Sequence, residues 1–402
     1  MATPRPTEEK PPDTPGELIG DDDFSAAYGE SIAEALNLDS WDRGVDLAAL
    51  YKRLESEVGP ALEQERRVQE VIRSEVFELL KTAPEAPKEA GVHTARPRDL
   101  EEVHRKILFS GQLETCDGTS KTHDTLLLTV TQIGVCLISY QGNELALSQR
   151  FFRRDLRTSM PDPIEEARAL LERRKDRAAV DIPDKREKLS ELGRRGIMTY
   201  AERATLLHRS EALWRMGHGN IAPYELLTGS GNMDLLDRSL RVLRELVDYK
   251  RWVFVPSGIK DRLLLTIGDA LLPLEYAILS SSQRAMSRIV DGGRYNPTSR
   301  AIAEKFVKEV GPKIVIGVYR ASRHAPATPF FAHADHAHEA AHIAMADSTL
   351  QEHRGFPLSI DLADSACRAA FPAEIFDDAV TSAYHLHGEP LRYLSERRTR
   401  EN

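Results

Sequence analysis

Acidic side chains at four places in this chain could support metal-dependent phosphoryl chemistry, which needs rigid anionic oxygens near the end of a sheet. The first is Asp117. It follows the apolar run Ile107-Leu108-Phe109 and Leu113 and opens Cys116-Asp117-Gly118-Thr119-Ser120. The run reads as a strand and Asp-Gly as a tight turn, which puts one carboxylate at a sheet rim, where glycine turns the backbone without crowding a ligand. Asp-Gly is also the standard turn dipeptide and needs no chemistry to explain it. The second place is a charged helix carrying Glu202 (TYAERA) and Glu211 (HRSEALW), nine residues apart and so not on one identical face. Such a helix also offers many solvated glutamates. Third, Glu225 stands in a short segment beside Leu226 and Leu227 that reads as a strand, and a partly buried acid there requires a partner or a metal. Last, Asp361 and Asp364 share a helix face, where they deliver two acids to one place or compensate the helix dipole.

A rival constellation is His338-Glu339-Ala340-Ala341-His342. On a helix, HExxH stacks two imidazoles for zinc and offers a glutamate base, as in a metallopeptidase. Position 348, where one zincin class has its third histidine, is Ser348, and His333, Asp335 and His336 crowd the same stretch. Gly229-Ser230-Gly231 lacks the GK[ST] of a P-loop, and there is no GxSxG elbow.

The elements that must position these residues follow from pattern and composition. With 402 residues and 41% hydrophobic content, the chain can build one large or two ordinary cores. No apolar run approaches the roughly 20 residues that span a bilayer, and the N-terminus lacks a basic segment followed by an apolar one, so no membrane role is expected. Cys116, Cys136 and Cys367 are odd in number and lodged in apolar surroundings, which reads as reduced thiols in a cytoplasm. Of the net charge of −9, the first 23 residues supply −5, since seven acids there face only Arg5 and Lys10. The remainder is near neutral and holds basic stretches at Arg150, Arg153, Arg154 and Arg157, at 172–177 and at 397–400. These could track a phosphate backbone or be solvated faces, because acids are interleaved with them.

Residues 1–23 read as a disordered acidic arm and 24–96 as a helical N-terminal segment, ending in a Pro-containing linker from Lys81 to Pro97. A core covers 97–390 and a basic tail 391–402. In the core, Ile107–Cys116, Thr125–Tyr140 and Glu144–Phe152 form an antiparallel meander, with Gly142-Asn143 as a hairpin turn. Pro161–Met216 follows as charged helix, Pro223–Gly229 as strand, Leu235–Tyr249 as helix, Trp252–Pro256 as strand, Pro297–Val310 as helix and Lys313–Tyr319 as strand. Three strands with an acid on the first, then alternating helices and strands, predict an α/β, RNase H-like mixed sheet flanked by helices.

Together these pieces resemble the NurA nuclease family: leading helices, a strand ending in Asp-Gly-Ser/Thr, a helix with Glu, a second Asp-Gly-Ser, and a terminal Pro-x-x-Leu-x-x-Ala-His. Asp117-Gly118-Thr119 matches the first motif. Glu211 matches the glutamate by its distance to Gly229-Ser230, with Glu202 as second choice. Pro357, Ile360 and Ala363 match the last motif, with Asp364 in place of histidine. The second aspartate is replaced by Thr228, so Glu225, Asp234 or Asp347 would have to stand in for it. The resemblance implies hydrolysis of DNA with Mn2+ or Mg2+, the metal held by Asp117, Glu211 and Asp364, with Glu225 as a fourth catalytic acid. It also implies DNA guided by Arg150 to Arg157 and a homodimer docked on a HerA-like hexameric ATPase. The alternatives are a degenerate NurA-like subunit that guides DNA without cutting, and the zinc metallopeptidase.

Overall fold

The computed structural model describes residues 21–41, 46–84, 86–125, 127–154, 191–258, 261–293 and 295–392, with a few residues between 162 and 171. Two compact units are present, Met1–Arg67 and Val68–Asn402. The first holds α1 (Asp21–Tyr28), α2 (Ile32–Ala35) and most of α3 (Leu47–Val71). Ser31 and Glu34 close a capping box on α2. Residues 1–20 of the acidic arm and 393–402 of the basic tail lie outside the described residues. Among the described residues no helix is long and apolar enough to cross a membrane.

The second unit runs β1 (Gly91–Thr94), α4 (Pro97–Val103), β2 (Leu113–Asp124), β3 (Leu128–Ser139), β4 (Gly142–Arg154), α5 (Glu191–Arg209), β5 (Trp214–His218), α6 (Tyr224–Leu227), α7 (Met233–Tyr249) and β6 (Trp252–Val255). It continues with α8 (Arg262–Asp269), β7 (Glu275–Ser281), α9 (Gln283–Gly292), α10 (Pro297–Val310), β8 (Ile314–Tyr319), β9 (Thr328–His333), α11 (Ala337–Thr349), α12 (Leu358–Ala370) and α13 (Ala373–Leu386).

Among the described residues nine strands make one mixed sheet in the order β1-β7-β8-β9-β6-β5-β2-β3-β4. β2, β3 and β4 form the antiparallel meander, β5 lies parallel to β2 on its other side, and β6 lies parallel to β5. That order is the RNase H-like one, and α/β with a mixed sheet is the fold class. β3 is rich in β-branched residues and buried on both faces, flanked by β2 and β4. Adding β5 parallel to β2 requires a crossover, and α5 at its end packs on β2 and β3 while α12 covers them from the other face. Helix ends follow local chemistry. Asn232 caps α7 through the Leu235 N–H at 3.2 Å, and Asn296 caps α10 with Pro297 at its first position.

The structure corrects several sequence readings. Ile107 and Leu108 belong to helical turns that continue from α4, and the strand starts at Leu113. Asp117-Gly118 is no turn: both pair with β3, at Cys136 and Val135, and β2 runs on to Asp124. The hairpin turn falls at Tyr140-Gln141, because Ser139 pairs with Gly142. Trp214–His218, read as mostly the end of a charged helix, is β5, and Pro223–Gly229, read as a strand, is α6 and a tight turn. Short apolar runs fit either period, and here Pro223 starts a helical turn whose Leu226 and Leu227 fill the core. Gly91–Thr94, within the stretch read as linker, pairs with β7, and the second unit already begins at Val68.

Candidate active site

The parallel strands set the place. Cys116 on β2 pairs with Gly217 on β5, and β5 ends one residue later at His218, opposite Val255, where β6 also ends. β2 and β3 run on past that point. Asp117 therefore sits at the step left by the carboxyl ends of two parallel strands, where open α/β sheets bind ligands. A cleft of about 530 Å³ opens there, and Asp117, Glu202, Glu225, Asp361, Asp364 and His218 all line it. Asp117 comes from the sheet, Glu202 from α5 on one face, and Asp361 and Asp364 from α12 on the other, while Glu225 starts α6.

Gly118 makes room for Glu202 beside the strand that carries Asp117. A Cβ at this position would lie 2.6 Å from Glu202 Oε1 and 2.9 Å from Met198 Cγ, so the missing side chain is the space the glutamate occupies. Glu202 has little room to retreat, being buried and paired with the equally buried Arg203. Gly118→Ala is expected to overpack this contact and lower stability by about 1–3 kcal/mol, seen as a lower urea midpoint.

Burial pushes the Glu202 carboxyl up to about 7, with Asp117's charge adding to the rise and Arg203 opposing it. Arg203 is fixed in turn. Its guanidinium donates to the carbonyls of His218 (3.1 Å) and Asn220 (2.7 Å) and lies over the Phe254 ring. Asp117 Oδ1 accepts the Gly118 N–H at 2.8 Å and stands 3.5 Å from His218 Nδ1, a contact that raises the imidazole above its ordinary value. The other acids are held by arginines: Glu225 by Arg195 at 3.0 Å, Asp361 by Arg354, and Asp364 by Arg368.

Of the acids singled out in the sequence, Asp117, Glu225 and Asp364 share this cleft and Glu211 does not. Because α5 ends at Arg209, Glu211 falls in the exposed turn before β5, where its backbone N–H donates to Glu114 at 3.0 Å. Glu202, the second choice, is the glutamate that lines the cleft with Asp117. Thr228 lies buried in the turn after α6, away from any strand end, and Asp234 is exposed on α7. Asp347 is buried beneath α12 rather than in the cleft. The residue level with Asp117 on the neighbouring parallel strand is His218, which the sequence reading missed. Its signal is the pattern Trp214, Met216, then Gly217-His218-Gly219, apolar alternation closing on glycine.

Arg150 and Arg153 lie on β4 and outside the cleft lining; Arg150 donates to Gln132, whose β2 partner Lys121 is four residues past Asp117. The Arg154 side chain and Arg157 fall outside the described residues. In the HExxH helix, His338 is engaged at both nitrogens, by Tyr276 at 2.8 Å and Glu89 at 3.2 Å, while Glu339 is exposed.

Among the described residues no three histidine, cysteine, aspartate or glutamate side chains stand as a ready-made metal cluster. The donors at the step still suit a hard divalent cation. Such ions are commonly held by one or two carboxylates, with water and substrate phosphate completing the shell. Glu202 is raised by burial and, to a smaller extent, by the charge of Asp117, and a cation between such acids relieves both.

No family model matches the chain, and no curated protein matches it. Among solved structures, it aligns with the NurA nuclease from Sulfolobus solfataricus at 8% identity, covering 83% of this chain and 98% of that one, with a TM-score of 0.43. A NurA structure with manganese aligns at 10% identity over 71% and 95% of the two chains, TM-score 0.39. Ciona intestinalis endonuclease V in complex with DNA aligns at 10% identity over 64% and 84%, TM-score 0.26. The chain is similar in fold to NurA nucleases, the family its motifs resemble, and the likeness is one of fold alone.

Proposed function

We propose that this chain is a metal-dependent deoxyribonuclease that hydrolyses phosphodiester bonds at the step beside Asp117. The observation that carries the reading is that Asp117 and Glu202 line one cleft at the carboxyl ends of β5 and β6, both of them buried, with burial first and the charge of Asp117 second raising the Glu202 carboxyl. These two carboxylates would hold Mn2+ or Mg2+, with Asp364 on the facing wall. The chemistry such an ion supplies when bound is Lewis acidity towards a phosphoryl oxygen and hydroxide at neutral pH.

The chain's own residues supply the rest. Arg203 fixes the Glu202 carboxylate and, through two carbonyls, the loop after β5, so the anionic oxygens do not move when substrate arrives. Arg354 and Arg368, exposed at the mouth, present positive charge to a phosphate backbone while holding Asp361 and Asp364. As the resemblance implies, we assign DNA as substrate and a homodimer working with a HerA-like hexameric ATPase.

A second reading, a subunit that guides DNA without cutting it, is favoured by one observation: three of the five cleft acids are already paired with arginines other than Arg203. Degradation of end-labelled DNA with Mn2+ decides between them. The nuclease reading expects Glu202→Gln to cut at least about a hundredfold more slowly and Glu211→Gln to cut like the wild type. A wild-type chain that binds DNA and its translocase yet cuts nothing returns the second reading.

A further inference from the structure

We propose that His218 is a nitrogen ligand of the cleft's divalent cation, and that it shifts the site's preference from magnesium towards manganese. The inference rests on the cleft being a metal site, and it adds a ligand and a selectivity that the pair of carboxylates does not supply. Three observations carry it. First, Cys116 pairs with Gly217, and Asp117 and His218 are the next residues of these two adjoining parallel strands, so their side chains leave neighbouring backbones just past the last pair of the ladder. Second, Nδ1 lies 3.5 Å from Asp117 Oδ1. Two donors each about 2.1 Å from one ion stand about 3–3.6 Å apart when they occupy adjacent positions of its shell, so the pair is already spaced for a shared cation. Third, the residue is held from several sides. Its carbonyl accepts from Arg203 at 3.1 Å, the following Gly219 N–H bonds Val255 at 3.0 Å, and the ring meets Phe356 edge-on at 6.0 Å between centroids. A ligand held this way loses little freedom when it binds.

The consequence for selectivity follows from donor chemistry. Magnesium demands oxygen donors and gives up water reluctantly, whereas imidazole suits transition metals. One nitrogen in an otherwise oxygen shell therefore disfavours Mg2+ more than Mn2+, while Asp117 and Glu202 keep the anionic charge that either ion requires.

The full chain without DNA is the sample for the test, with MnCl2 as probe followed by electron paramagnetic resonance and MgCl2 as competitor. Pulsed spectra of Mn2+ on the wild-type protein are expected to show coupling to a directly bound nitrogen-14. His218→Ala is expected to lose that coupling and about tenfold or more in Mn2+ affinity. His218→Asp is expected to keep Mn2+ and to bind Mg2+ about tenfold better relative to it. Mn2+ that binds the wild type and is lost in Asp117→Asn, but shows no nitrogen coupling, overturns the proposal and leaves the metal site standing. A wild-type chain that binds no Mn2+ overturns both.

Discussion

Asp117→Asn is expected to abolish manganese-dependent DNA cleavage, by about a thousandfold or more, without unfolding the protein. The loss follows from charge. A hard cation needs an anionic oxygen, and the amide keeps the shape while removing the charge. The fold survives because the bond that Asp117 makes at home, from the Gly118 N–H to Oδ1, is one an amide oxygen accepts equally well. Stability is expected to change little, since the charge at position 117 raises the buried Glu202 carboxyl and at the same time favours the His218 imidazolium. Loss of activity with an unchanged unfolding midpoint would mark the residue as part of the chemistry. A parallel fall of both, measured by labelled-DNA degradation and urea denaturation on one preparation, would assign it to the fold instead.

Asp347→Ala is expected to give the largest loss of stability, about 3–5 kcal/mol, with urea midpoints as the measure. Asp347 is fully buried at the end of α11. One carboxylate oxygen accepts from Ser359 N at 3.1 Å and Ser359 Oγ at 2.6 Å, and the other accepts from Tyr140. Ser359 Oγ also receives Thr115 Oγ1 at 2.9 Å, two residues before Asp117. The carboxylate thus caps α12 from outside and ties it to β2, so its removal strands several donors and loosens the helix that carries Asp361 and Asp364. Burial raises this carboxyl above its ordinary value, with the bonds from Ser359 and Tyr140 opposing. A group that holds its proton more tightly folded than unfolded stabilises fully below its unfolded pKa, about 3.9 for aspartate. That contribution is lost as pH rises through the folded value, and the alanine variant should lack this component of the pH slope.

Much of the scaffold was legible because long elements declare themselves. The apolar stripe of α7 and the Asn296-Pro297 start of α10 repeat over several turns, and the β-branched run of β3 fits no helix. Asp117 was legible as the acid of an Asp-Gly pair, although the apolar run before it is helical and its glycine serves a different purpose from the one spacing suggests. What pattern could not supply was where a helix stops. Glu202 and Glu211 stand two and a half turns apart, and distance to Thr228-Gly229-Ser230 favoured Glu211 only while that segment was read as a strand. With α5 ending at Arg209 and β5 at His218, the choice reverses. β1, β7 and β9 went unread because each is four to seven residues of ordinary composition, given its place by pairing with distant strands.

The sheet is stitched across its middle by only two residue pairs, Val253 with Ala332 and Phe254 with Phe331. Every acid of the cleft belongs to segments packed on the side of that seam where β2 and β5 lie. The outermost strands beyond the seam, β1 and β7, carry none of these acids, so that margin of the sheet can change its decoration without altering which carboxylates line the cleft.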